Sequence, residues 1–227
     1  IHEVPYWLGF PLTVFVITFI DNAINLIDGI DGLAGGLAML ALMGFCFIFG
    51  HAQLVPYAIV VVSLIGVLIP YMRYNIWGKA EQNRKIFMGD SGSLTLGFIL
   101  GFLFVRSAMH NPPLMTGSPT RFMLAYSLLV VPVFDVVRVI LHRLRTRQPL
   151  FNADKNHIHH KLIRLGMTQH QALIFILGLA VAYVAVNLLL FTTISITTIV
   201  LIDVAVFTVM QLLLTRKVER KELKIAA

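Results

Sequence analysis

Residues 171–191 read QALIFILGLAVAYVAVNLLLF, an unbroken run without one charged side chain. At 1.5 Å rise per residue, a helix of this length covers about 30 Å, the thickness of a bilayer's hydrocarbon layer. The run therefore reads as a transmembrane helix. Similar runs lie near 5–20, 33–50, 54–72, 92–109, 120–140 and 195–214. Backbone polar groups in lipid must be satisfied within the protein, and none of these runs alternates as a barrel strand would, so all are expected to be helical. The predicted fold is all-α, a polytopic integral membrane bundle of about seven transmembrane helices. Two runs are weaker. The first is short, and the fifth contains Pro132, Asp135 and Arg138, which predict a kink and an exit from the bilayer as an interfacial helix.

Composition agrees. Of the 227 residues, 58% are hydrophobic and 13% charged, against about a quarter charged in soluble domains. The mean hydropathy is +0.83. Disorder, collagen-like repeats and disulfide scaffolds are excluded, and a single cysteine, Cys46, cannot form an intrachain bridge. The whole chain is expected to be one membrane domain ending in a basic, lipid-anchored tail at 215–227. The net charge of +7 does not point to nucleic acid, because no basic and aromatic residues alternate in a stacking surface. It points to orientation. When the seven spans alternate, sixteen of the eighteen lysines and arginines fall on one side, from Arg73, Lys79, Arg84 and Lys85 through Lys155 to Lys224, leaving Arg106 and Arg121 on the other. The crowded side is expected to be cytoplasmic.

Three segments on that side carry chemistry. Residues 21–32, DNAINLIDGIDG, have no basic residue. If they continue the first helix, Asp21, Asn25, Asp28 and Asp31 fall within an arc of about 120°. Unpaired carboxylates at a membrane helix end are costly, and a cation or cationic ligand would relieve them. A solvated cap that merely ends the helix is the alternative. Residues 86–98, IFMGDSGSLTLGF, put Asp90 beside the free amides of a helix start, where phosphate oxygens and Mg²⁺ would fit. Here the alternative is that Asp90 simply caps the helix. The letters GDSGS also occur in trypsin-like proteases, whose soluble barrel fold does not match this chain. Residues 152–166, NADKNHIHHKLIRLG, cluster His157, His159 and His160 among cations. That crowding favours an anion over a transition metal, with a basic loop on lipid headgroups as the alternative. Arg138, His142 and Arg145 follow i, i+4, i+7 spacing. They suit a lipid phosphate, while Asp135 and Arg138 equally suit a structural ion pair. Carboxylates for a divalent ion, helix-start amides and a cationic loop together suit phosphoryl transfer on a nucleotide-linked diphosphate.

In this order, NLIDGIDGLAGG (25–36), FMGDSGSLTLG (87–97) and HIHH (157–160) resemble the polyprenyl-phosphate N-acetylhexosamine-1-phosphate transferase family. The spaced HIHH is more similar to the bacterial undecaprenyl-phosphate N-acetylglucosamine-1-phosphate transferase branch than to phospho-N-acetylmuramoyl-pentapeptide transferases, which are the alternative. The resemblance implies an inner-membrane enzyme with a cytoplasmic site and C-terminus. It would move a sugar 1-phosphate from a UDP-N-acetylhexosamine to polyprenyl phosphate, release UMP, and initiate a cell-surface polysaccharide such as O-antigen. The implied cofactor is Mg²⁺, or Mn²⁺, on Asp90 and Asp28. Asp28, Asp31, Asp90, His157, His159 and His160 would be catalytic, and Asn25, Asn75, Phe87, Arg138 and Arg145 would bind substrate, with Phe87 packing on uracil. A homodimer stays open. The family's adjacent aspartate pair has no counterpart here, since no two acids are neighbours. The resemblance thus implies upstream helices before Ile1, and a 227-residue piece that is inactive alone. A metal or anion transporter is the rival class, but transporters place ligands near the midplane, whereas these acids and imidazoles sit at loop ends on one side. The alanine-arginine step expected of CDP-alcohol phosphotransferases is missing.

Overall fold

The structure, a computed structural model, describes residues 4–109, 117–147 and 157–226. It contains seven helices long and apolar enough to cross a membrane. In chain order the elements are α1 (Tyr6–Ile27), α2 (Leu33–His51), α3 (Val55–Trp77), α4 (Gly89–Ala108), α5 (Pro119–Thr146), the short α6 (Ile158–Arg164), α7 (Gln169–Leu190) and α8 (Ile196–Ala226). No strand occurs among the described residues. The chain is a multi-pass membrane protein. Lys155 and the rest of 152–156, read above as part of the histidine segment, lie outside the described residues.

The bundle is organised around α2. Ala34, Gly35, Gly36, Ala38 and Ala41 line this helix and are buried, and small residues let neighbouring backbones approach closely where no hydrophobic effect drives association. It touches α1, α3, α4, α5 and α7. The most extensive pairing is α1 with α4. There, Gly97 and Gly101 stand one turn apart, and a Cβ on either would come within 2.7 Å of Asp21 Cα or 3.0 Å of Ile17 Cα. Only glycines permit that crossing. On the outside, Trp7, Phe10, Phe15, Val62, Val67, Leu189 and Leu201 are exposed, as lipid-facing positions should be.

Helix ends alternate between two faces, and the three motifs share one of them, here the motif face. The first span is longer than its apolar run suggested. It continues through Asp21 and Asn25 to Ile27, because Ile20, Ala23, Ile24 and Ile27 are buried and hold the polar stretch in the helix. The fifth departs from expectation in another way. Pro132 does not divide it, and α5 is one helix of 28 residues that contacts α1, α2, α4, α7 and α8. Its length of about 42 Å exceeds the hydrocarbon layer, so its last turns project from the motif face without becoming a separate interfacial element. The basic tail is helical. Residues 215–224 continue α8 and grip α6: Arg164 Nε donates to Glu222 Oε1 at 3.0 Å, and Lys221 Nζ donates to the Arg164 carbonyl at 3.1 Å.

Candidate active site

The site is built on the turn between α1 and α2. The α-helix stops at Ile27, Asp28 is its C-cap, and Gly32 starts α2 from the left-handed region at φ 79°, where a Cβ would be strained. Asp31 is therefore not on a helix face, and the expected line of four polar residues does not form. Asp21 belongs to the α1–α4 crossing, its backbone against Gly97 and its Oδ1 buried without a hydrogen-bond partner. Asn25 donates to Ser93 Oγ at 2.8 Å and so ties the end of α1 to the start of α4.

Asp28, Asp31 and Asp90 do share one electrostatic neighbourhood. Burial, then the Asp31 and Asp90 carboxylates, push the Asp28 carboxyl up to about 6. Asp31 is offset by Lys85, whose Nζ lies 2.6 Å from Asp31 Oδ2. Asp90 is exposed in the first turn of α4, and the N-cap is Met88 without a side-chain bond, so Asp90 does not cap the helix. α4 begins at Gly89, three residues before the apolar run suggested. Its unsatisfied amides are then those of residues 89–92.

Asn75 holds the turn in place. Its Oδ1 accepts from Gly32 N at 2.6 Å and its Nδ2 donates to the Ile86 carbonyl at 2.8 Å. At 4% exposure it clasps the turn to the 78–88 loop. Phe87 is the opposite case, 73% exposed on that loop with Lys85 Nζ 6.0 Å from its ring.

The histidines close the site from the other side. His157 precedes α6, and His159 and His160 lie in it. The His157 and His159 rings stack at 5.9 Å, and His159 and His160 are 4.2 Å apart. His159 is 1% exposed, and a Cβ on Gly29 would clash with its Nε2, Cε1 and Cδ2. The ring thus lies directly on the backbone between Asp28 and Asp31. Neither ring nitrogen has a hydrogen-bond partner among the described residues. Burial, then the charges of His160 and His157, bring this imidazole down to about 3 against the raising effect of Asp135, so it is neutral.

The three predicted arginine-face residues separate. His142 and Arg145 are exposed, whereas Arg138 turns toward Asp135 at 3.4 Å. Arg143, which the spacing did not select, is buried. Two residues escaped sequence reading as site residues, Lys85, which pairs with Asp31, and Ser93, which accepts from Asn25. Asp135, read in sequence only as an ion-pair partner of Arg138, forms that pair and also contacts His157 from an element distant in sequence.

Residues 1–108 match the family model described as glycosyl transferase family 4. That stretch holds α1 to α4 and the first two motifs. Among curated proteins, undecaprenyl-phosphate alpha-N-acetylglucosaminyl 1-phosphate transferase of Yersinia pestis is 31% identical over 168 residues, 74% of this chain and 44% of that protein. The protein of the same name in Escherichia coli (strain K12) is 32% identical with the same coverage. Decaprenyl-phosphate N-acetylglucosaminephosphotransferase of Mycobacterium leprae (strain TN) is 32% identical over 190 residues, 77% of this chain and 46% of that protein. The chain spans somewhat under half the length of these curated relatives.

Proposed function

We propose that the full-length protein transfers N-acetylglucosamine 1-phosphate from a UDP-sugar to undecaprenyl phosphate and releases UMP, at the cytoplasmic face of a bacterial inner membrane. One observation carries this reading. His159, neutral and with no partner for either ring nitrogen among the described residues, lies on Gly29 between Asp28 and Asp31, so acids and imidazoles from separate helices meet at one point. The names of the relatives and the placement of the cluster at one end of the bundle support a transferase over a transporter.

The residues fit a divalent ion of a particular kind. Among the described residues, no three His, Cys, Asp or Glu side chains assemble into a metal cage. Asp28 and Asp90 feel one another, and Mg²⁺ takes one or two carboxylates plus substrate phosphates. Asp28 and Asp90 would hold such an ion, which would supply charge neutralisation for the diphosphate when bound. Lys85 keeps Asp31 paired and off that ion. Phe87, exposed on its loop, would pack on uracil, and the free amides at the start of α4 would donate to phosphate oxygens. An oxygen of the lipid phosphate attacks the β-phosphorus, a new P–O bond forms, and the bond to UMP breaks.

Asp90→Asn in the full-length protein, assayed by UMP release from UDP-N-acetylglucosamine, tests the assignment. A loss of at least about 100-fold is expected for a group stabilising transition-state charge. Near-normal turnover that still depends on magnesium overturns it.

A further inference from the structure

The most heavily hydrogen-bonded carboxylate of the motif face is not one of the motif acids. Asp135 of α5 is fully buried, and donors from three helical elements converge on it. His157 Nδ1 lies 2.8 Å from Oδ2, and the backbone N–H of Ile158 donates to Oδ1 at 3.2 Å and Oδ2 at 3.3 Å. Arg138 of α5 and Gln211 of α8 donate to Oδ1, each at 3.4 Å. Gln211 is itself held, its Oε1 accepting from Lys161 Nζ at 3.0 Å, and Lys161 also donates to Thr215 Oγ1 at 2.7 Å. Among the described residues, the charged and titratable groups around His157 are therefore Asp135 and Arg138 from α5, and His159, His160 and Lys161 from α6, with the neutral Gln211 and Thr215 from α8.

Among the described residues, the imidazole makes the shortest side-chain hydrogen bond to this carboxylate, 2.8 Å against 3.4 Å for the arginine three residues along the same helix. An ionised carboxylate only accepts hydrogen bonds. Nδ1 must then carry a proton whether the ring is neutral or cationic, and every change of protonation falls on Nε2. This is the orienting relation that buried acids impose on functional histidines in unrelated sites.

We infer that Asp135 is a positioning residue that locks His157 with Nδ1 protonated and commits Nε2 to proton exchange with a substrate phosphate. The inference rests on the transferase reading above. In the step it serves, an O–H bond of the lipid phosphate monoanion breaks and an N–H bond forms at Nε2. The resulting imidazolium stays bonded to Asp135 and faces a phosphate that is now dianionic and more nucleophilic. Asp135 touches no substrate and acts through His157.

Asp135→Asn tests this with little change of volume. The amide can donate to Nδ1, which would move the ring proton to Nε2 and remove the acceptor. In the full-length protein kcat is expected to fall about 100-fold or more with KM for the UDP-sugar little changed, a loss confined to the transition state. The acid limb of the pH–rate profile should move to lower pH, and Asp135→Glu should recover part of the rate. The double variant D135N/H157A should be no slower than H157A, since two residues acting as one unit are not additive. Independently of activity, ¹⁵N spectra of histidine-labelled protein, assigned with H157A, should show Nδ1 protonated in the parent and Nε2 protonated in D135N. A parent spectrum with His157 protonated only at Nε2, or losses that add in the double variant, overturns the inference, and the parent spectrum decides even if D135N does not fold. A parent with the Nδ1 proton but no UMP release would refute the transferase reading and leave the lock standing.

Discussion

Gly29→Ala probes the junction between the aspartate turn and the histidine helix with one methyl group. Positive φ values occur at Gly32, Gly89 and Gly166 but not at Gly29, so alanine suits the backbone and the consequence comes from the added Cβ. That carbon would lie 2.6 Å from His159 Cε1 and 3.0 Å from Cδ2, and closer still to Nε2, where carbon contacts prefer about 3.5–4.0 Å. The ring has little room to retreat. It is enclosed, its neighbours Ile158 and Leu162 are buried at 0% and 1% exposure, and His157 and Ile158 are tied to Asp135. α6 must then move away from the turn by a substantial part of an ångström. Overpacking of this kind costs about 1–3 kcal/mol, or roughly 2–4 °C of Tm per kcal/mol at this size. A displacement approaching 1 Å can slow a reaction about 100-fold. Thermal unfolding of the full-length protein in detergent, with UMP release measured on the same preparations, should show both losses. G29A/H159A should recover part of the Tm without recovering rate, because the vacated ring accommodates the methyl group. A G29A protein with parental Tm and turnover refutes the contact, and a double variant less stable than either single change refutes its steric origin.

Asn75→Ala removes the acceptor for Gly32 N and the donor to Ile86 O, and leaving such buried groups unmatched should cost about 1–3 kcal/mol; an unchanged Tm would show the clasp to be incidental. In the lipid-embedded part of the bundle, Asp203 accepts from Tyr126 OH at 3.1 Å and Asn187 Nδ2 at 2.8 Å. At about 0.6–1.7 kcal/mol per membrane hydrogen bond, Asp203→Ala should lower Tm more than Asp203→Asn, which keeps an acceptor, and equal losses would refute this. His159 and Asp28 should oppose one another in acid. Unfolded histidine titrates near 6.5 and folded His159 at about 3, so the unfolded chain alone binds the proton in between, and this contribution to stability falls as pH drops from about 6.5. Asp28 titrates at about 6 when folded against 3.8, so its contribution is full below about 3.8 and is lost as pH rises through 6. Each slope is about 1.4 kcal/mol per pH unit, and they nearly cancel between pH 4 and 6. In Tm-against-pH curves over that window, Asp28→Asn should therefore steepen the loss of stability in acid and His159→Asn should reverse its sign. Superimposable curves would refute both shifts.

Much of the fold was legible because a bilayer imposes a length rule that needs no tertiary information. The run at 171–191 had to become a helix such as α7, as did the other six. Where that rule misjudged a boundary, packing had intervened. The polar stretch from Asp21 to Asn25 stays helical because its apolar neighbours are buried and Gly97 and Gly101 admit α1 onto α4. The segment after Pro132 stays continuous because α5 is surrounded by other helices.

The residue types of the candidate site could be read from sequence alone, since carboxylates, glycines and histidines at those spacings have few other uses at a membrane surface. Their arrangement could not. That His159 rests on Gly29, that Asn75 faces inward to clasp Gly32, and that Lys85 neutralises Asp31 are contacts between segments 43 to 130 positions apart. Hydrophobic periodicity reports which face of one helix avoids water and says nothing about which other helix covers it. Asp135 shows the difference most clearly. In sequence it is an acid in an apolar run, three residues from an arginine. Only the folding of α6 and α8 over α5 brings His157 and Gln211 to its oxygens, because a buried carboxylate must collect donors from whatever elements enclose it.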